Sequence, residues 1–304
     1  MPYPIEDPVP HDAMSGRFGS TTIEDRVPYG PPPDRPLPGA PAGEPQIPRR
    51  RGLWLTLASL TGFVVLAPTA GQVYGWMFEQ SSESSWSETH PITAVRVDVT
   101  SGDVRIGPGG AGQARVRESL RWVVHEPSVR ETWDGDSLVV TVLCDGGGFL
   151  LPDECSADLD VTVPASVPVT VTARSGDVSA GGMSGAVHVQ TDSGDIQLTG
   201  DSGTVVAHAI SGSVSGQGLT AADADVQAES GDVDLGFTAV PQRVVCRVVS
   251  GDTLILVPRG DGYLVTGQTA SGERDVDPSL ENNQSSRMLS IDSESGGVAV
   301  HSQD

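Results

Sequence analysis

Five aspartates stand directly after a Ser-Gly pair: Asp103, Asp177, Asp195, Asp232 and Asp252. Carboxylates at regular spacing could line up along one edge of a stacked structure. Such a row could offer the several hard oxygen ligands that Ca²⁺ requires. The competing reading is structural, because Ser and Asp beside a turn glycine bond the local backbone and cap the turn. The calcium-binding nonapeptide runs G-G-x-G-x-D-x-U-x. Here a single glycine precedes each aspartate, and alternate corners carry Ala186, Thr204 or Ser213 instead. Turn capping is therefore the expectation, with Asp177, Asp195, Asp232 and Asp252 kept as calcium candidates.

Cys144 and Cys155 flank the stretch DGGGFLLPDE. In an oxidising compartment they could form a disulfide, worth about 2–3 kcal/mol for a loop of this size. The alternative is a pair of buried free thiols, as expected for Cys246 within VVCRVV. Two cysteines without a suitable histidine pair make a poor metal site. His188 and His208 lie 20 residues apart, and there is no G-x-S-x-G elbow. With so many serines and aspartates, some Ser/His/Asp triple arises by chance. No group has a visible base and orienter, so no catalytic residue, metal or cofactor is expected.

The elements that must carry these residues come from a repeat. Ser-Gly recurs at 175, 184, 193, 202 and 211, nine apart, and again at 230, 250, 271 and 295, with an early copy at 101. The register is x-S-G-x-apolar-x-apolar-x-x, with Val187, Ile196, Val205, Val214 and Val233 at the first apolar position. Gly216 is an exception at the second. Two apolar residues spaced by two predict a short half-buried strand. The glycines Gly102, Gly176, Gly185, Gly194, Gly203, Gly212, Gly231 and Gly251 predict regular corners where φ > 0 is free of strain. Such units cannot form a core alone but can bury one when stacked. The complete Ser-Gly-Asp copies fall in pairs 18 to 20 apart, so two nonapeptides should make one coil. The expected fold is all-β: a β-solenoid-like stack of short strands. Upstream, 91–173 reads as longer strands that would cap the stack.

Composition divides the rest. The chain has 304 residues and a net charge of -22, and all of its 18 basic residues are arginine. That balance excludes a nucleic-acid binder, which needs a basic face. Residues 1–48 hold thirteen prolines and read as a disordered cytoplasmic tail. Arg49-Arg50-Arg51 then precedes an uncharged run from Gly52 to Phe78. At ~1.5 Å per residue this is long enough to span a bilayer as a helix. The basic triplet predicts a single-pass plasma-membrane protein with its N-terminus in the cytoplasm and its C-terminal part outside. Residues 79–90 are Ser/Glu-rich and read as a stalk, and 91–301 as the extracytoplasmic repeat domain.

The stretches TSGDV (100–104), RSGDV (174–178), DSGDI (192–196), ESGDV (229–233) and VSGDT (249–253) resemble the bacterial putative-adhesin family, a domain of unknown function. The resemblance covers roughly 91–301. It implies a stacked-strand domain that contacts a surface, with no catalytic residues and no named ligand. The first functional expectation is thus a non-enzymatic surface protein binding a cell-wall, surface or protein ligand. The alternative is an envelope-stress sensor whose Pro-rich tail recruits a cytoplasmic partner. A polysaccharide lyase or hydrolase ranks last, because the arginines are scattered.

Overall fold

The computed structural model describes residues 79–88, 91–144 and 155–303. These form twenty-one strands and one short 3₁₀ turn at Pro278–Leu280. The first seven are β1 (Gln80–Glu88), β2 (Ala94–Ser101), β3 (Val104–Gly109), β4 (Ala114–Trp122), β5 (Ser128–Asp134), β6 (Ser137–Leu143) and β7 (Cys155–Pro164). The repeat region supplies β8 (Val169–Ser175), β9 (Val178–Gly181), β10 (Val187–Ser193), β11 (Ile196–Thr199) and β12 (Val205–Ser211). It continues with β13 (Val214–Leu219), β14 (Asp223–Ser230), β15 (Val233–Phe237), β16 (Arg243–Ser250) and β17 (Thr253–Val257). The last four are β18 (Leu264–Thr266), β19 (Arg274–Val276), β20 (Met288–Ser295) and β21 (Val298–Ser302).

They assemble into two sheets. One has eleven strands in the order β1-β4-β7-β3-β9-β11-β13-β15-β17-β21-β19, the other ten in the order β18-β20-β16-β14-β12-β10-β8-β2-β6-β5. From β8 to β17 the chain changes sheet at each strand, and each strand pairs in parallel with the one two places on. Val187 lies opposite Val205, Val205 opposite Ala224 and Ala224 opposite Val244. Alternation then turns one residue in two inward. The inward rows are Val171, Val189, Ala207, Val226 and Cys246 in one sheet, and Val178, Ile196, Val214 and Val233 in the other. All are buried in a single core cluster. Gly216 interrupts the pattern without leaving a hole, because the Leu219 side chain fills the space its missing Cβ would take.

The corner geometry fixes the stacking. At Gly194 φ is +144°, and a Cβ there would overlap the carbonyl oxygen of Gly176 in the adjoining corner. The same column runs through Gly102, Gly176, Gly212, Gly231, Gly251 and Gly296. Gly185 and Gly203 differ from expectation. Neither is among the positive-φ glycines, and what excludes a side chain there is close backbone approach, by Val167 and Gly185 respectively.

The expected architecture needs correction. The described residues are all-β, but they are not a β-solenoid-like stack of short strands, and no transmembrane helix stands among them. They form two many-stranded mixed sheets. β4 runs antiparallel to both β1 and β7, and β5 antiparallel to β6 through a tight turn at Gly135. These pairs lack Ser-Gly-Asp corners, so nothing forces them into the parallel register. The order is also out of sequence. β2 and β3 pair with β8 and β9, so the corner at 100–104 stacks on the one at 174–178, while the intervening strands β4 to β7 extend the two sheets on the other side of β2 and β3. Among the described residues no helix is long and apolar enough to cross a membrane. The expected span 52–78 and tail 1–48 lie outside the described residues. Most of the Ser/Glu-rich stretch 79–90 is strand β1, held in register on β4 with Trp86 opposite Val116 and Ser84 opposite Glu118.

Gly194→Ala should cost at least about 3 kcal/mol, since it adds both backbone strain and an overlap with the adjoining corner. Gly200, at φ +65° with open space around it, should cost only about 1–2 kcal/mol as Ala. Urea unfolding of the two variants checks the difference; equal losses would contradict the stacked corner.

Candidate functional site

Each corner makes one repeated hydrogen-bond set. Gly176 N–H donates to Ser193 O (3.0 Å) and Val178 N–H to Asp195 O (2.9 Å). In the other direction, Asp195 N–H donates to Asp177 Oδ1 at 2.9 Å. The side-chain bond repeats along the column. Asp158 Oδ1 accepts from Asp103 N–H, Asp103 from Asp177, Asp195 from Ser213, Asp232 from Asp252, and Asp252 from Gly297, at 2.7–3.0 Å. At Ser213 a hydroxyl takes the place of the carboxylate and accepts from Asp232 N–H at 3.3 Å. The aspartates are thus brought into one column, where each caps the next corner. Among the described residues no group of three or more His, Cys, Asp or Glu side chains could hold a metal ion.

The other singled-out residues do not join this column. Cys144, at the end of β6, and Cys155, opening β7, are linked in a disulfide with Cα atoms 5.7 Å apart. It ties one sheet to the other, since β6 and β7 lie in different sheets. Cys246 is a free thiol, and burial pushes it up to about 12, which makes it inert. His188 lies opposite Val206, and His208 opposite Gln190, so the two histidines sit in neighbouring outward rows.

A groove of about 540 Å³ follows the last corners, lined by Asp232, Asp234, Asp252, Glu273 and Asp275 around Leu254 and Ala299. It is acidic and shallow, and its corner carboxylates already serve the ladder.

Sequence reasoning missed Asp201. It precedes its Ser-Gly pair instead of following it, so it looks like one more corner polar residue. In the fold it is fully buried, with Oδ1 accepting Met183 N–H at 2.8 Å. Burial raises its carboxyl above the ordinary range, partly offset by the backbone N–H groups of Met183 and Thr199. Glu118 of β4 was also missed: it reads as a solvated charge among arginines, and only the strand register turns it inward.

The fold and corners define a class: an all-β, two-sheet domain whose turns stack through Ser-Gly-Asp units. Through residues 153–303, about half of its length, the chain belongs to the Toastrack DUF4097 family. Solved structures of similar fold include a putative adhesin from Bacteroides fragilis, 9% identical with a TM-score of 0.47, covering 72% of this chain and 97% of that one. A putative adhesin from Parabacteroides distasonis is 13% identical with a TM-score of 0.38, over 73% and 97%. A putative lipid binding protein from the same species is 12% identical with a TM-score of 0.31, over 72% and 94%. At these values the likenesses carry no functional argument. No curated protein matches the chain.

Asp201 yields a pH test. A raised folded-state carboxyl contributes stability that is complete below its ordinary value of 3.8 and is lost as pH rises through the raised value. Asp201→Asn keeps the acceptor for Met183 and removes the titration. The variant should therefore gain on wild type in urea midpoint between pH 4 and pH 7; a constant difference would contradict the buried acid.

Proposed function

We propose that this domain is a non-enzymatic binding module that works outside the cytoplasm and docks on an extended envelope or cell-surface ligand. The observation that carries the reading is the pair of outward rows on the ten-stranded sheet. Asp98, Thr172, Gln190, His208, Gln227 and Arg247 stand opposite one another, strand by strand. Arg96, Thr170, His188, Val206 and Asp225 form the neighbouring row. Strand spacing sets these groups ~4.8 Å apart, a regular polar grating with donors and acceptors. A polymer with its own repeat, such as a wall glycan, can meet a grating of that kind at several points at once. Two further features support the reading. The disulfide belongs to oxidising compartments. The open, regularly registered sheet face suits many weak contacts better than one enclosed substrate.

The test is co-sedimentation of the full chain with isolated cell walls. Wild type should pellet with the wall, and the triple substitution Thr172→Ala, Gln190→Ala, His208→Ala should weaken binding several-fold with unchanged unfolding. Absence of wall binding, or release of soluble sugar from the wall by the protein, would overturn the proposal.

A further inference from the structure

Among the described strands, each sheet ends in two edges: β1 and β19 in one, β5 and β18 in the other. A strand paired on one side only is a template for another strand. β18 and β19 have three residues each, too few to hold a partner. β1 has nine, but its charged residues, Glu83 and Glu88, are both acidic, so two copies of it would repel. β5 differs from the other three, because it is seven residues long and carries both signs of charge on one face.

β5 is the outer strand of a hairpin. Asp134 pairs with Ser137 across the two-residue turn Gly135-Asp136, with Gly135 at φ +61°. Residues that close such a turn exchange backbone hydrogen bonds, and bonded pairs then alternate along the ladder. Ser128, Arg130, Thr132 and Asp134 therefore use their backbone groups on β6, and Val129, Glu131 and Trp133 turn theirs to the open side. The side chains divide in the same way. Val129, Glu131 and Trp133 stand opposite Val142, Val140 and Leu138, all buried, and so lie on the inner face. Arg130, Thr132 and Asp134 alternate with them and lie on the outer face. Arg130 and Asp134 are both exposed, and neither has an ion-pair partner among the described residues.

We propose that β5 is the seam of a homodimer, in which two copies pair β5 with β5 antiparallel about a twofold axis at Thr132. Charge sets the register. With the axis at Thr132, Arg130 stands opposite the partner's Asp134 and Asp134 opposite the partner's Arg130, two ion pairs on the outer face. Glu131 and the partner's Trp133 then exchange the backbone hydrogen bonds that each β5 leaves open. An axis at Glu131 would set two glutamates directly against each other, which destabilises a strand pair. An axis at Trp133 would run each strand into the partner's turn at Gly135. The pairing covers Trp133, which is 38% exposed in the single chain. It also joins the two ten-stranded sheets into one, with both outer faces on the same side. A chain of net charge -22 repels its own copies, so the reciprocal Arg–Asp match is what selects this edge. The seam is short, so the dimer is weak and forms with rising concentration.

Two measurements on the full chain test this. Thr132→Cys should give a disulfide-linked dimer on mild oxidation, because the axis sets the two Cβ atoms about 4.5–5.5 Å apart. Ser128→Cys should not, because its two copies would lie roughly 27 Å apart along the seam. No cross-link with Thr132→Cys, or equal cross-linking at both positions, would overturn the proposal. In sedimentation velocity, wild type should pass from monomer to dimer as concentration rises. Arg130→Asp and Asp134→Arg should each weaken dimerisation several-fold, and the two combined should restore it. A wild type that stays monomeric, or single variants that associate as wild type does, would refute the seam. Should a charge variant not fold, the two cysteine variants decide alone.

Discussion

The backbone of one corner lies so close over the next that no Cβ fits between them. That steric constraint sets everything else. Along the column from Gly102 to Gly296 the carbonyl of one glycine occupies the place where the next would carry a side chain. Glycine is therefore the residue that allows the contact, and the contact in turn locks the register of both flanking strands. In parallel sheets a slip of one residue would turn the buried rows of valine and alanine out to solvent. A single feature repeated at each corner thus protects the core of both sheets.

Once the corners stack, the aspartates need no further instruction. Each lies beside the backbone N–H of the adjoining corner and satisfies a donor that the turn leaves open. The ladder's cost is a line of like charges, and Ser213 interrupts that line with a neutral acceptor. The ends of the sheets are handled differently. β18 and β19 are three-residue edge strands, too short to invite another chain, whereas β1 is nine residues long and is held on β4 by Ser84 and Trp86, both donating to Glu118. The disulfide adds a covalent link between the sheets at the end of β6 and the start of β7.

Much of this could be read from the chain, and the failures have physical causes. The nine-residue spacing located the corners, the strands after them and the inward valines, because period-two burial and turn glycine are local signals. The offset between paired strands was also legible, since Ser-Gly-Asp copies stand 18 apart at 175 and 193 and 20 apart at 230 and 250. What was not legible is pairing between distant segments. Nothing local in VRVDVTS places it beside VTVTARS, some seventy residues later, or turns QSSESSWSE into a strand on β4. The sheet's mixed character follows from those long-range pairings. Asp201 and Glu118 were unreadable for the same reason: their burial depends on which strand lies across from them, and their residue types say only that they should be exposed.

The most direct test of the stacked column measures its spacing. Spin labels placed pairwise on the outward row, at Asp98 with Gln190, Gln227 or Asp292, span two, four and six strand steps. Electron–electron distance measurements should increase linearly with step number by about 4.8 Å per step, reaching roughly 29 Å for Asp98 with Asp292. Distances that fail to rise in proportion to the number of steps would contradict the account.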